Sequence, residues 1–247
     1  MTPMLSHKSK GLLLLALSLY SLLPLMIFGS DFDLGGAVLP FYGALMTFVS
    51  YSAGNQGFLL TLAALSLLLL TLKFSKAKLV SLFLQLGLLL VISFAAKTFL
   101  KYSTEIPRPY SEYLVTQEVV EIPELFYELP LAEKNAAIES VQEAVSDWRS
   151  RHWLGETDYS FPSGHMIFVG VCLAFFGGVF LEAKRFYLVG VLLAWAGGVA
   201  YSRVWLGMHR PEDLAASIAF AGLIYLLVPL VPTQKIEPLL PKFLRAA

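Results

Sequence analysis

Apolar runs broken by short charged turns set the organisation of this chain. Residues 12–28, 56–72, 79–96, 164–181, 186–202 and 214–231 are each nearly free of charge and long enough for one helical crossing of a bilayer. A further uncharged run, 34–54, carries Gly35, Gly36, Pro40, Gly43 and Gly54, which weaken a helix. It is read as an interfacial segment lying along the outer membrane surface. Between the third and fourth spans stand about sixty polar residues, 101–161, through which aromatic and aliphatic residues still recur. Ile138, Val141, Val145 and Trp148 share one face of a helix predicted over about 131–150. The pattern predicts an all-α integral membrane protein: a six-transmembrane-helix bundle with a small helical periplasmic cap between helices 3 and 4. It is read as a single domain over 1–247, with the cap at about 102–161 inserted within it.

Charge gives this pattern an orientation. Lys and Arg in short loops mark the cytoplasmic side. With six spans, the N-terminus, the turn with Lys73, Lys76 and Lys78, the turn with Lys184 and Arg185, and the tail with Lys235, Lys242 and Arg245 all fall inside. That places ten of the eighteen Lys and Arg residues in the cytoplasm, with both termini. Counting 34–54 as a seventh span would put the N-terminal basic residues and the three lysines on opposite sides, so it is not counted. His7, Lys8 and Lys10 before the first run resemble the start of a signal peptide, but the run is long and no small-x-small cleavage site follows, so the helix is read as retained. The cap holds twelve of the eighteen acids and four basic residues.

Composition agrees: 57% hydrophobic and 15% charged residues, with mean hydropathy +0.68, exclude an ordinary soluble domain. Zero formal net charge speaks against a nucleic-acid partner. The one cysteine, Cys172, lies in an apolar run and has no internal disulfide partner.

Three polar clusters fall on the same outer face. Lys101 and Arg108, in K-Y-S-T-E-I-P-R-P, follow the third span. Ser163, Gly164 and His165, in F-P-S-G-H, open the fourth. Arg203, His209 and Asp213, in Y-S-R-V-W-L-G-M-H-R-P-E-D, join the fifth to the sixth. Three cations suit a phosphate with two or more negative charges. A Ser-Gly helix start offers free backbone N–H groups, a positive dipole end and close approach for an anion. Pro211 is suited to the first position of a helix, which puts Asp213 in its first turn, four residues after His209. A carboxylate there orients one imidazole nitrogen and leaves the other as an outward lone pair. The set predicts phosphoryl transfer: His209 as nucleophile, His165 as general acid and then base, Asp213 orienting His209, and Lys101, Arg108, Ser163, Gly164 and Arg203 binding phosphate. No acidic metal cage stands at these positions, so metal-independent chemistry without a cofactor is expected.

Lys101 to Pro109, Pro162 to His165 and Ser202 to Asp213 match K-x6-RP, PSGH and SR-x5-H-x3-D, and by them the chain resembles the type 2 phosphatidic acid phosphatase family. The resemblance implies a six-helix bundle and a phosphohistidine intermediate on His209. The long cap and the run His152-Trp153-Leu154-Gly155-Glu156-Thr157 resemble bacterial members of the family that act on phosphatidylglycerol phosphate, undecaprenyl diphosphate and phosphatidate. That similarity runs from the third span onward, and it implies a lipid phosphate substrate from the outer leaflet of the bacterial inner membrane, with the active site facing the periplasm. Glu156, nine residues before His165, is either a pocket residue or one more cap acid. Lys97, one turn before Lys101, either meets a lipid headgroup or snorkels to the interface. Two other activities use the same basic pocket: a non-hydrolytic phosphate or lipid-phosphate carrier, and a vanadate-dependent haloperoxidase, against which the multi-span chain argues.

Overall fold

The computed structural model describes residues 3–28 and 32–241, and among them all regular structure is helical. Lys242 and Arg245 of the expected cytoplasmic tail lie outside the described residues. In order the helices are α1 (Pro3–Ser21), α2 (Leu23–Phe28), α3 (Pro40–Ala53), α4 (Phe58–Leu70), α5 (Lys76–Thr104), α6 (Pro109–Thr116), α7 (Pro123–Glu128), α8 (Leu131–Glu139), α9 (Asp147–Gly155), α10 (Gly164–Cys172), α11 (Gly178–Glu182), α12 (Phe186–Trp205), α13 (Pro211–Leu227) and α14 (Thr233–Ile236). A π-helical turn, Leu173–Gly177, joins α10 to α11 without a break.

Among the described residues four runs are long and apolar enough to cross a membrane: His7–Phe28, Lys76–Thr116, Gly164–Glu182 and Phe186–Trp205. A fifth arises if α3 and α4 count as one span, though they meet at a 69° bend. The expected sixth span corresponds to α13, whose 17 residues reach about 26 Å at 1.5 Å per residue, near the lower limit for a crossing. The most apolar window of Gly164–Glu182 is 89% buried, against 28% for His7–Phe28, so α10–α11 is the bundle's axis. α1, α5, α12 and α13 pack around it. Their outward faces carry exposed apolar side chains such as Val91, Phe99, Val191 and Leu227, as lipid contact requires.

The stretch 34–54 is extended at its start, with Gly36 bridged to Val145, and then forms α3. That helix buries Gly43, Met46, Thr47, Ser50 and Ala53 and exposes Phe41, Leu45 and Phe48. Residues 54–57 break it from α4, and Gly54 is needed there, because a Cβ would lie 2.6 Å from His165 Nε2.

The cap departs from the single helix expected over 131–150. α8 ends at Glu139, and Ser146 starts α9 afresh, its hydroxyl accepting from the Trp148 N–H at 3.4 Å. The turn between them bonds to the 34–36 segment, Gly36 N–H donating to Ala144 O at 2.8 Å. Ile138, Val141 and Val145 are still buried, so the apolar spacing marked core positions while the cap and tertiary pairing set the break. The cap's own core stacks Tyr110 on Trp153 at 5.1 Å. Trp153 Nε1–H donates to Leu206 O at 2.7 Å, and Tyr110 N–H to Gly207 O at 2.9 Å. The cap is thereby fastened to the loop that carries His209.

Candidate active site

Each cluster reaches the site by a local device. α5 carries Lys97 and Lys101 on successive turns. Its extension past Glu105, which takes left-handed φ, delivers Arg108 just before Pro109 starts α6. Ser163 caps α10, its hydroxyl accepting from the Met166 N–H at 3.4 Å. Its own N–H donates to Ser217 Oγ at 2.9 Å, and that hydroxyl donates to Asp213 O at 2.6 Å, so the starts of α10 and α13 are tied together. Pro211 is the first residue of α13, and the Asp213 carboxylate accepts from the Arg210 N–H at 3.1 Å.

Lys97, Lys101, Arg108, Glu156, Gly164, His165 and His209 all line one cavity of about 510 Å³. Arg203 and Ser163 are fully buried behind it, and Asp213 lies behind His209. Phe58 and Phe94, in edge contact at 6.0 Å, line the same cavity, and Lys97 Nζ lies 5.6 Å over the Phe94 ring, so its cationic and apolar linings adjoin.

The cations are already engaged. Glu156 Oε2 lies 2.7 Å from Arg203 Nη2 and 3.4 Å from Arg108 Nη2, and its Oε1 lies 3.9 Å from His165 Nε2. Asp158 pairs with Arg108 at 2.5 Å and with Lys101 at 3.0 Å. Burial pushes the Glu156 carboxyl up, but Arg203 and the neighbouring cations override it and hold the group well below the usual carboxylate range. Asp158 is likewise pulled down to about 2: burial raises it, and Arg108 and Lys101 outweigh that. Arg203 also donates to Ser50 Oγ at 2.8 Å, while its Nε–H is buried with no hydrogen-bond partner among the described residues. Lys97 forms no ion pair among the described residues. Its stem covers Gly164, where a Cβ would meet Cδ at 2.9 Å.

His209 is buried. Burial, then Arg108 and Arg203, lower its pKa well below the ordinary imidazole value, so the ring is neutral near pH 7. Arg108 Nη1 lies 3.3 Å from its Nε2. Its Nδ1 lies 3.6 Å from Asp213 Oδ2, past hydrogen-bonding range, and 3.2 Å from Ser160 Oγ. Sequence reasoning singled out neither Asp158, Ser160, Ser50 nor Ser217. The first two lie between Glu156 and the F-P-S-G-H run and could have been suspected from that neighbourhood, whereas Ser50 and Ser217 stand in apolar helices with no distinguishing spacing.

Comparison with known proteins adds the following. The family described as PAP2 superfamily matches residues 82–237. The protein named Phosphatidylglycerophosphatase B from Escherichia coli (strain K12) is 30% identical over 139 residues, 55% of this chain and 54% of that protein. The protein of the same name from Haemophilus influenzae (strain ATCC 51907 / DSM 11121 / KW20 / Rd) is 36% identical over 149 residues, 56% of this chain and 61% of its own length. The chain thus spans little more than half the length of the curated relatives it matches.

Proposed function

The chain belongs to the PAP2 superfamily, and on that premise we propose that it is a membrane lipid phosphatase that transfers a phosphoryl group to His209 and then to water. One observation carries the reading: the Nε2 of a buried, neutral imidazole lies 3.3 Å from Arg108 in a cavity lined both by cations and by Phe58 and Phe94. A lipid phosphate likewise joins a charged head to an apolar body.

In the proposed sequence Arg108 Nη1–H turns from His209 Nε2 to a phosphate oxygen, the freed Nε2 lone pair attacks phosphorus, and the P–O bond to the lipid breaks. His165 protonates the departing lipid oxygen. Arg108, Arg203 and Lys101, with the N–H groups at the start of α10, hold the equatorial oxygens. His165 then takes a proton from water, which attacks phosphorus and cleaves the P–N bond.

The names of the two relatives support phosphatidylglycerol phosphate as a substrate. Undecaprenyl diphosphate and phosphatidate have the same terminal phosphate and stand as further candidates. Six spans, cytoplasmic termini and a site facing the periplasm of the bacterial inner membrane complete the proposal, supported by the basic residues in the alternate turns. The substrate would then enter sideways from the outer leaflet beside the α3–α4 bend, where Leu59 and Leu60 are exposed.

The test is phosphate release from detergent-dispersed phosphatidylglycerol phosphate with EDTA present. The wild type should turn over and trap an acid-labile, base-stable phosphoenzyme, and His209→Ala should do neither. Activity retained in His209→Ala removes the nucleophile. Phosphate binding without turnover on any of the three lipids would favour a carrier.

A further inference from the structure

The imidazole of His209 and the carboxylate of Asp213 are not in direct hydrogen-bond contact, and the group that stands between them is the hydroxyl of Ser160. A guanidinium only donates, so Arg108 Nη1, 3.3 Å from Nε2, requires a lone pair on that nitrogen. A neutral ring must then carry its proton on Nδ1. Two acceptors face Nδ1: Ser160 Oγ at 3.2 Å and Asp213 Oδ2 at 3.6 Å. The second distance is too long for an N–H···O bond. Ser160 has one proton to give, and Asp213 Oδ2 at 2.5 Å is far better placed than Met208 O at 3.4 Å. Oriented in this way, Nδ1–H donates to Oγ and Oγ–H donates to the carboxylate.

From this geometry we infer that Ser160 is a positioning residue that relays Asp213 to His209. The inference rests on the reading of His209 as nucleophile. All three groups are buried, where hydrogen bonds polarise one another and an uncompensated charge is costly. Asp213 has no Lys or Arg within ion-pair distance among the described residues, and the neutral His209 ring lies 3.6 Å from it. Transfer of a phosphoryl group to Nε2 makes the ring cationic. The hydroxyl carries the compensating charge of Asp213 to Nδ1–H without any proton leaving the ring, and it keeps the Nε2 lone pair aimed at the cavity beforehand. Ser160 is held for this by its own backbone, whose N–H donates to Ile106 O at 2.8 Å.

The test reads the tautomer directly. The chain has four histidines, so ¹⁵N-histidine labelling, with His209→Ala for assignment, isolates the His209 ring nitrogens. The wild type should show Nδ1 protonated and Nε2 bare. Ser160→Ala should lose that signature and lower kcat by roughly tenfold to a hundredfold, the range for losing one hydrogen bond to a charged partner, with KM within about threefold, and Ser160→Thr should recover both. A wild-type ring with Nδ1 bare overturns the relay, and that result holds even if Ser160→Ala does not fold. A folded Ser160→Ala with an unchanged ring signature and kcat within about twofold overturns it too. A wild type with Nδ1 protonated but no turnover on any lipid phosphate overturns the proposed function and leaves the tautomer assignment standing.

Discussion

Replacing Glu156 by Gln isolates the contact that, on the proposed function, would most condition phosphate binding. The Glu156 carboxylate bonds to Arg203 at 2.7 Å and reaches Arg108 at 3.4 Å, occupying donors that a phosphate needs. Lys97, Lys101, Arg108 and Arg203 bring four positive charges, and Glu156 and Asp158 offset two, so half of the cationic charge is already answered before any ligand arrives. Two unit charges 4 Å apart attract by about 4 kcal/mol at an effective dielectric of 20. Much of that returns as hydration when Glu156 swings out, since its side chain is already 24% exposed. The net loss on exchanging the carboxylate for an amide is therefore nearer the ~1.5–3 kcal/mol of one hydrogen bond to a charged group. At ~1.4 kcal/mol per decade that is a tenfold to hundredfold gain in affinity for a competing dianion. The assay is inhibition of lipid phosphate hydrolysis by inorganic phosphate. Ki should fall by that factor in Glu156→Gln, and KM should fall with it by a smaller factor. A Ki that rises tenfold would mean the carboxylate assists phosphate binding rather than competing with it, and the reasoning would be wrong.

Asp158→Asn should act in the same direction but by no more than about threefold, because its side chain is 57% exposed and solvent screens exposed pairs; the same Ki measurement checks it. Removing the ion-pair-free ammonium in Lys97→Ala should raise KM for phosphatidylglycerol phosphate several-fold with little change in kcat, as seen in steady-state kinetics. Thermal stability should fall as pH drops from 7 to 5. The folded pKa of His152 is lowered to about 3, chiefly by burial and then by Arg203, and that of His209 is also lowered, so below the unfolded value of 6.5 only the unfolded chain gains these protons. Each buried imidazole then removes up to ~1.4 kcal/mol per pH unit, and the two carboxylates contribute only below their own usual range. A melting temperature in detergent that is flat from pH 7 to 5 would contradict this. Gly43→Val should destabilise the contact of α3 with the cap by ~1–3 kcal/mol, since even a Cβ there would lie 2.2 Å from the Trp148 ring; a lowered melting temperature is the readout.

The sequence by itself determined the elements whose cause is local. Apolar runs must form helices in hydrocarbon because no water is there to satisfy the backbone, so 79–96, 164–181 and 186–202 were legible from hydropathy and lie within long helices. Pro211 as the first residue of α13, and His209 and Asp213 four apart around it, followed from dihedral preference and helix-end chemistry. The chemical kinds of Lys101, Arg108 and His165 marked them as candidates for one polar pocket, and they line one cavity. What only the tertiary structure decided is which distant groups these residues meet. Glu156 and Asp158 sit on the cations, and Ser160 on His209, because the cap packs Tyr110 and Trp153 onto the loop at Leu206 and Gly207. The 69° bend at residues 54–57, where Gly54 faces His165, and the interruption of the cap helix after Glu139, where Gly36 pairs with Ala144, are likewise set by contacts with distant residues. Periodicity and propensity act over one or two helical turns, whereas a contact between residues fifty apart is fixed by which buried surfaces fit together, and no local pattern encodes that fit.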